Sequence, residues 1–186
     1  MALGWDGHGG DALSARLTDF QPPTSWHTAA MDENDGAAVR IPPPLVYLGA
    51  VILGIVAHAY IAPLPVALST GLRHSMAMAI AIPGLVLMGG AVGLFRRTGQ
   101  KPAPWTPTPE IISTGVYRIT RNPMYVGMAL LQIAIGIGLG NWWIVMLVPV
   151  ALAVVHITAV RHEERYLEQK FADAYRRYKT AVRRWL

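Results

Sequence analysis

The sequence predicts an all-α, polytopic membrane protein with about four transmembrane helices and a C-terminal amphipathic helix. Three observations carry this. Apolar residues make up 53% of the 186 and charged ones only 15%, against about a quarter charged in water-soluble domains. The apolar residues are gathered into four runs, each close to the roughly 20 residues that cross a 30 Å hydrocarbon layer. The charges collect outside those runs.

The elements follow in order. Residues 1–40, rich in Gly, Asp, Ala and Thr, lack helical or strand periodicity and read as a flexible or loosely folded arm ahead of a membrane domain spanning 41–186. No basic segment followed by a short apolar core opens the chain, so a cleaved signal peptide is not expected. The predicted spans are 45–62 (LVYLGAVILGIVAHAYIA), 75–95 (SMAMAIAIPGLVLMGGAVGLF), 124–140 (MYVGMALLQIAIGIGLG) and 142–160 (WWIVMLVPVALAVVHITAV). A helix in a soluble bundle carries a polar face, whereas these are apolar all round. Only Gly140 and Asn141 separate the last two, which predicts a tight helical hairpin with Trp142 and Trp143 as interfacial anchors. The small residues of AIGIGLG and GGAVG predict close helix packing rather than a nucleotide loop.

Charge placement sets the topology. Of the 16 Lys and Arg residues, five lie in the loop 96–122, eight in the tail 161–186 and two in the arm, leaving Arg73 alone in the other connections. With four spans, the three basic segments share one side, which the positive-inside rule makes cytoplasmic. Both termini are therefore expected in the cytoplasm, the membrane being the cell membrane if the protein is bacterial. The net charge of +5 is interleaved with acids and sits beside apolar spans, so no nucleic-acid partner is expected. The absence of cysteine excludes disulfides, a thiolate nucleophile and Cys-based metal sites, and no metal site is expected.

Polar side chains concentrate at two places. The loop carries Pro102, Pro104, Pro107 and Pro109, which stiffen it and suit it to wrapping over something. It ends in GVYRITRNPMYVG, where Pro123 fits the first turn of the third span and Asn122 is a candidate N-cap, leaving free backbone donors that favour an anion. In the tail, Tyr166, Leu167, Phe171, Tyr175 and Tyr178 recur at three- and four-residue intervals on an amphipathic helix. Composition places those tyrosines at headgroup depth and the arginines against anionic lipid. Glu163 and Glu164, at the exit of the membrane, add nothing to lipid attraction and need a partner. His58 and His156 lie within spans, as site candidates or as helix–helix hydrogen bonds.

The segment TGVYRITRNPMYVG, followed after a two-span hairpin by RHEERYLEQKFADAYRRYKTAVRRW, resembles the isoprenylcysteine carboxyl methyltransferase and phospholipid methyltransferase superfamily of small integral-membrane enzymes. The likeness covers roughly residues 95–186. It implies S-adenosylmethionine as methyl donor, in a cytosol-facing pocket between the loop, the last two spans and the tail helix, with a lipophilic acceptor entering from the bilayer. Tyr117, Arg118, Arg121, Asn122, Pro123 and Tyr125 match the first motif, and Glu163 and Glu164 the second. The resemblance implies that Arg121 orients cofactor or acceptor. It implies that Glu163 or Glu164 acts electrostatically, or as a base if the acceptor is an amine or thiol. Tyr117, Arg118, Asn122, Pro123, Tyr125 and Glu163 are the expected cofactor-binding residues, with Gln132 bonding either the cofactor or a neighbouring helix. Many relatives have His in place of Asn122, and a Gly often follows the Phe matched by Phe171, where this chain has Ala172.

The acceptor stays open among an isoprenylcysteine-like carboxylate, a phospholipid amine and a small thiol. Two other classes compete: a lipid or sterol reductase using NADPH, which shares a similar C-terminal membrane architecture, and a non-enzymatic four-span transporter or partner protein. A transporter would place ionisable residues near the midplane, and the four runs contain no Asp, Glu, Lys or Arg.

Overall fold

The computed structural model describes residues 41–100 and 108–186. The arm 1–40 and the loop positions Pro102, Pro104 and Pro107 lie outside the described residues. Six α-helices account for most of the rest: α1 (Pro43–Tyr60), α2 (Thr70–Arg97), α3 (Pro123–Leu139), α4 (Trp142–Met146), α5 (Val148–Val155) and α6 (Arg161–Ala181). There is no strand among the described residues, and an isolated bridge joins Pro65 to Asn141. The fold is that of an all-α integral membrane protein.

Local sequence explains the ends of these helices. Pro43 and Pro44 open α1, where a missing N–H is harmless. The Ser69 hydroxyl caps α2 by accepting from Leu72 N. At the other end of α3, Gly140 adopts the left-handed conformation (φ 71°) and its N–H returns to the carbonyls of Gly136 and Ile137. Asn141 then does two jobs: its Oδ1 accepts from Trp143 N at 2.9 Å, starting α4, and its Nδ2 donates to Gly54 O of α1 at 3.1 Å. The predicted hairpin turn is therefore also an anchor between spans.

Three helical stretches are long and apolar enough to cross a membrane: Pro43–Tyr60, Thr70–Arg97 and the continuous Trp142–Ala181, whose apolar part ends at Val160. The remaining apolar helix, α3, has 17 residues and touches α1, α2, α4 and α5. It is the central helix, and most of its side chains are buried in protein. The last span is not one uniform helix over 142–160, as expected, but is segmented. Pro149 has no N–H for the carbonyl of Val145, so the ladder breaks between α4 and α5. A π-helical turn, His156–Val160, follows before α6.

Packing between spans relies on small residues, as lipid-embedded helices require. A Cβ on Gly127 of α3 would stand 2.7 Å from Gly84 O and 2.6 Å from Met88 Cγ of α2. Gly136 of AIGIGLG is likewise pressed against Val145 and Ile144, and Gly90 of GGAVG against Val116, whereas Gly89 and Gly93 face open space. The core gathers Tyr47, Tyr125, Met128, Val148, Ala151 and Val155, with the Tyr47 hydroxyl donating to Tyr125 O at 2.9 Å. Leu48 and Ile52 on α1, Leu85 and Val86 on α2, and Val150 on α5 point outward, exposed, as side chains facing lipid do. His58 Nδ1 accepts from Leu64 N at 3.3 Å, tying down the loop after α1.

The tail departs from the single amphipathic helix expected over 161–186. Ala172 sits at φ 41°, ψ −114°, a kink that divides α6, and residues 182–186 leave the helix. Positive φ is strained for a residue with a Cβ and free for glycine. Ala172→Gly is accordingly expected to stabilise the protein by about 1 kcal/mol, raising the melting temperature in detergent by roughly 2–4 °C. An unchanged or lower melting temperature would contradict the kink.

Candidate functional site

The site begins where the loop meets α3. Thr120 and Asn122 are buried and are held by residues 183 and 184 as well as by their own turn. Arg121 N donates to Arg183 O at 3.0 Å, Thr120 Oγ1 to Arg184 O at 3.0 Å, and Asn122 Nδ2 to the same Arg184 carbonyl at 2.9 Å. Asn122 stands at the N-cap position of α3, but its side chain makes no cap hydrogen bond, because it is spent on the tail. Tyr178 OH donates to Tyr117 O at 2.7 Å, fastening the preceding turn, Gly115–Arg118, to α6.

These ties shape a cavity of about 140 Å³, or about 850 Å³ when its open mouth is counted, at the end of α3 next to the first turns of α6. Its walls are mostly apolar and aromatic. Tyr117, Arg121, Asn122, Pro123, Tyr125 and Glu163, six of the residues singled out from the sequence, line it together. Arg118 and Gln132 do not. Arg118 is exposed at the end of its turn. Gln132, 1% exposed, donates through Nε2 to Ile144 O at 2.9 Å, joining α3 to α4. Glu164 faces a different, charged groove and reaches the cavity only through Arg121.

The electrostatics are uneven. Glu163 accepts a short hydrogen bond from Tyr125 OH. It lies beyond Val160, past the apolar part of the span, and burial lifts its carboxyl to about 7; the bond from Tyr125 opposes the shift and the neighbouring Glu164 adds to it. Arg121, its side chain 9% exposed, has Nη1 2.9 Å from Glu164 Oε1. That contact is an ion pair rather than an aligned hydrogen bond, and Nε of Arg121 is buried without an acceptor. Arg184 grips the same carboxylate with Nε at 2.9 Å and Nη2 at 2.8 Å, which raises the Arg184 pKa. Glu164 thus serves two arginines, and one of those arginines keeps a spare donor, Nε, at the cavity.

Several lining residues escaped the sequence reading. Tyr166, Leu167, Tyr175 and Tyr178 all face the cavity, and Tyr175 and Tyr178 are buried rather than resting at headgroup depth. Their three- and four-residue spacing marked one helical face, but spacing does not say whether lipid or protein covers it. Gln100, just after α2, is buried with its Nε2 donating to Glu110 O at 3.3 Å. Phe95 meets Tyr117 edge-on with centroids 6.1 Å apart. No group of three His, Asp or Glu suited to a metal ion occurs among the described residues.

Fold and site together define an integral membrane protein with an aromatic-walled cavity whose charged groups include an arginine and a buried carboxylate. The chain belongs to the phospholipid methyltransferase family, whose model matches residues 61–174, and is a membrane methyltransferase. An uncharacterized protein of Haemophilus influenzae is 43% identical over 63 residues, covering 34% of this chain and the whole of that relative.

Proposed function

We propose that the cavity binds S-adenosylmethionine and that the protein transfers its methyl group to a lipophilic acceptor at the cytoplasmic face of the membrane. The observation that carries this reading is Arg121, a buried cation at the cavity wall whose guanidinium Nε lacks an acceptor. A carboxylate-bearing ligand would supply one, in the bidentate manner that suits arginine. S-adenosylmethionine, when bound, supplies an electrophilic methyl group on a sulfonium. Glu163 and the tyrosine walls complement that positive charge. The apolar lining keeps water from the reacting atoms, and Tyr125 fixes the orientation of Glu163. Thr120 and Asn122, with the N–H of Arg121 itself, hold Arg121 in place through the tail. Glu164 anchors Arg121 rather than touching the ligand.

The acceptor this site suits is a lipophile whose nucleophile carries a proton, an amine or a thiol. A carboxylate acceptor is already ionised at neutral pH and needs no base, whereas Glu163, titrating near 7, is poised to take a proton.

Calorimetric titration of the detergent-purified chain with S-adenosylmethionine, and in parallel with NADPH, tests the class. Binding of the first alone is expected, and binding of NADPH alone would favour the reductase. The base is tested at saturating donor. Because the carboxyl pKa is raised, Glu163 is protonated below about 7, so kcat for an amine lipid should climb as pH rises through that value and then level off. Glu163→Gln is expected to remove this rise and lower kcat by about 100-fold. A profile unchanged in the variant would rule out Glu163 as the base.

A further inference from the structure

Outside the cavity, the N-terminal half of α6 borders a second, polar groove of about 750 Å³. Its charges do not balance. The two carboxylates in its wall are already paired: Glu164 with Arg184 and Arg121, Glu168 with Lys179 at 2.9 Å and Arg176 at 3.6 Å. Arg161 and Arg165 also line the groove, and neither makes an ion pair with any described residue. One helical turn apart, they present two uncompensated guanidinium groups on one face.

The π-helical turn gives the groove its floor. Arg161 N donates to His156 O, five residues back. In a regular α-helix, residues five apart point to different faces, whereas the wider turn brings His156 beneath Arg161 and into the groove. π-turns of this kind are frequent at functional sites. His156 Nδ1 is buried there without a hydrogen-bond partner, its ring braced edgewise by Trp185.

Depth identifies the ligand. Arg161 directly follows Val160, the last apolar residue of the span, and Ile157, about one turn earlier, is 56% exposed on the lipid-facing surface. The groove thus opens where hydrocarbon gives way to headgroups. We propose that it is a binding site for the phosphate of an anionic phospholipid from the adjoining leaflet, gripped by Arg161 and Arg165 above His156. Guanidinium forks match phosphate oxygens, and the acyl chains would lie along the exposed face of α5.

Native mass spectrometry of the delipidated full chain, titrated with phosphatidylglycerol and with phosphatidylcholine, tests this. Phosphatidylglycerol should be preferred, and Arg161→Gln/Arg165→Gln should weaken its binding by about 30-fold, from the usual contribution of an arginine near an anionic surface. Arg97→Gln/Arg177→Gln, which removes the same charge from exposed positions elsewhere, should stay within twofold. If the double variant fails to purify, Arg165→Gln alone reads the site through a loss of about fivefold. Equal losses in the two double variants would reduce the effect to diffuse charge and overturn the site. Displacement of the lipid by millimolar inorganic phosphate would overturn the lipid assignment in favour of a soluble anion.

Discussion

Arg121→Ala is expected to abolish measurable binding of S-adenosylmethionine while leaving a folded, membrane-inserted protein. Truncating one partner of a buried charge pair costs about 2 to 5 kcal/mol, which corresponds to a loss of roughly 30- to 5,000-fold in affinity. The protein should survive because Glu164 keeps its two contacts to Arg184. Arg121→Lys separates binding from folding more sharply. A lysine preserves the ion pair to Glu164 but lacks the planar fork, so melting should be nearly unchanged while affinity falls at least tenfold. Calorimetry and thermal melting on both variants check this, and full affinity in Arg121→Ala would remove the residue from the site.

Deleting residues 182–186 should be nearly as damaging to catalysis, although none of them lines the cavity. The deletion removes the Arg183 and Arg184 carbonyls that hold Arg121, Thr120 and Asn122, together with the side chain that shares Glu164. Releasing the loop displaces Arg121, and misplacement by about 1 Å is worth on the order of 100-fold in rate. Arg184→Gln provides the contrast, since it keeps the carbonyls and loses only the ion pair. Its effect should be several-fold smaller than that of the deletion. If the truncated chain turns over within twofold of the full one, the tail is not a positioning device.

The membrane fold was legible because lipid is an unforgiving solvent. Every backbone group must be paired within the bilayer, so long apolar runs leave little besides helices to choose from. The start of α3 at Pro123 and its end at Gly140 were readable for equally local reasons. The segmentation of the last span was less legible, because a proline is often accommodated in a membrane helix, and whether Pro149 breaks the ladder depends on the packing around it. The role of Asn122 was half legible: its position at the helix start follows from Pro123, whereas its side-chain partner, Arg184 O, lies 62 residues away.

Glu163 and Glu164 show most clearly where the sequence stops. It delivers two adjacent carboxylates at the membrane exit and an arginine before Pro123, and local chemistry requires these charges to find partners. Neighbours on a helix point about 100° apart, so one must face the cavity and the other elsewhere, but the rotation of α6 is set by what packs against it. Tyr125 from α3 takes Glu163, while Arg121 and Arg184 take Glu164. The spans, their ends and the presence of a charged site follow from burial, lipid solvation and backbone chemistry, which act along the chain. Which carboxylate serves the cavity, which tyrosines wall it and which residues hold the loop depend on contacts tens of residues apart, and these the tertiary structure decided.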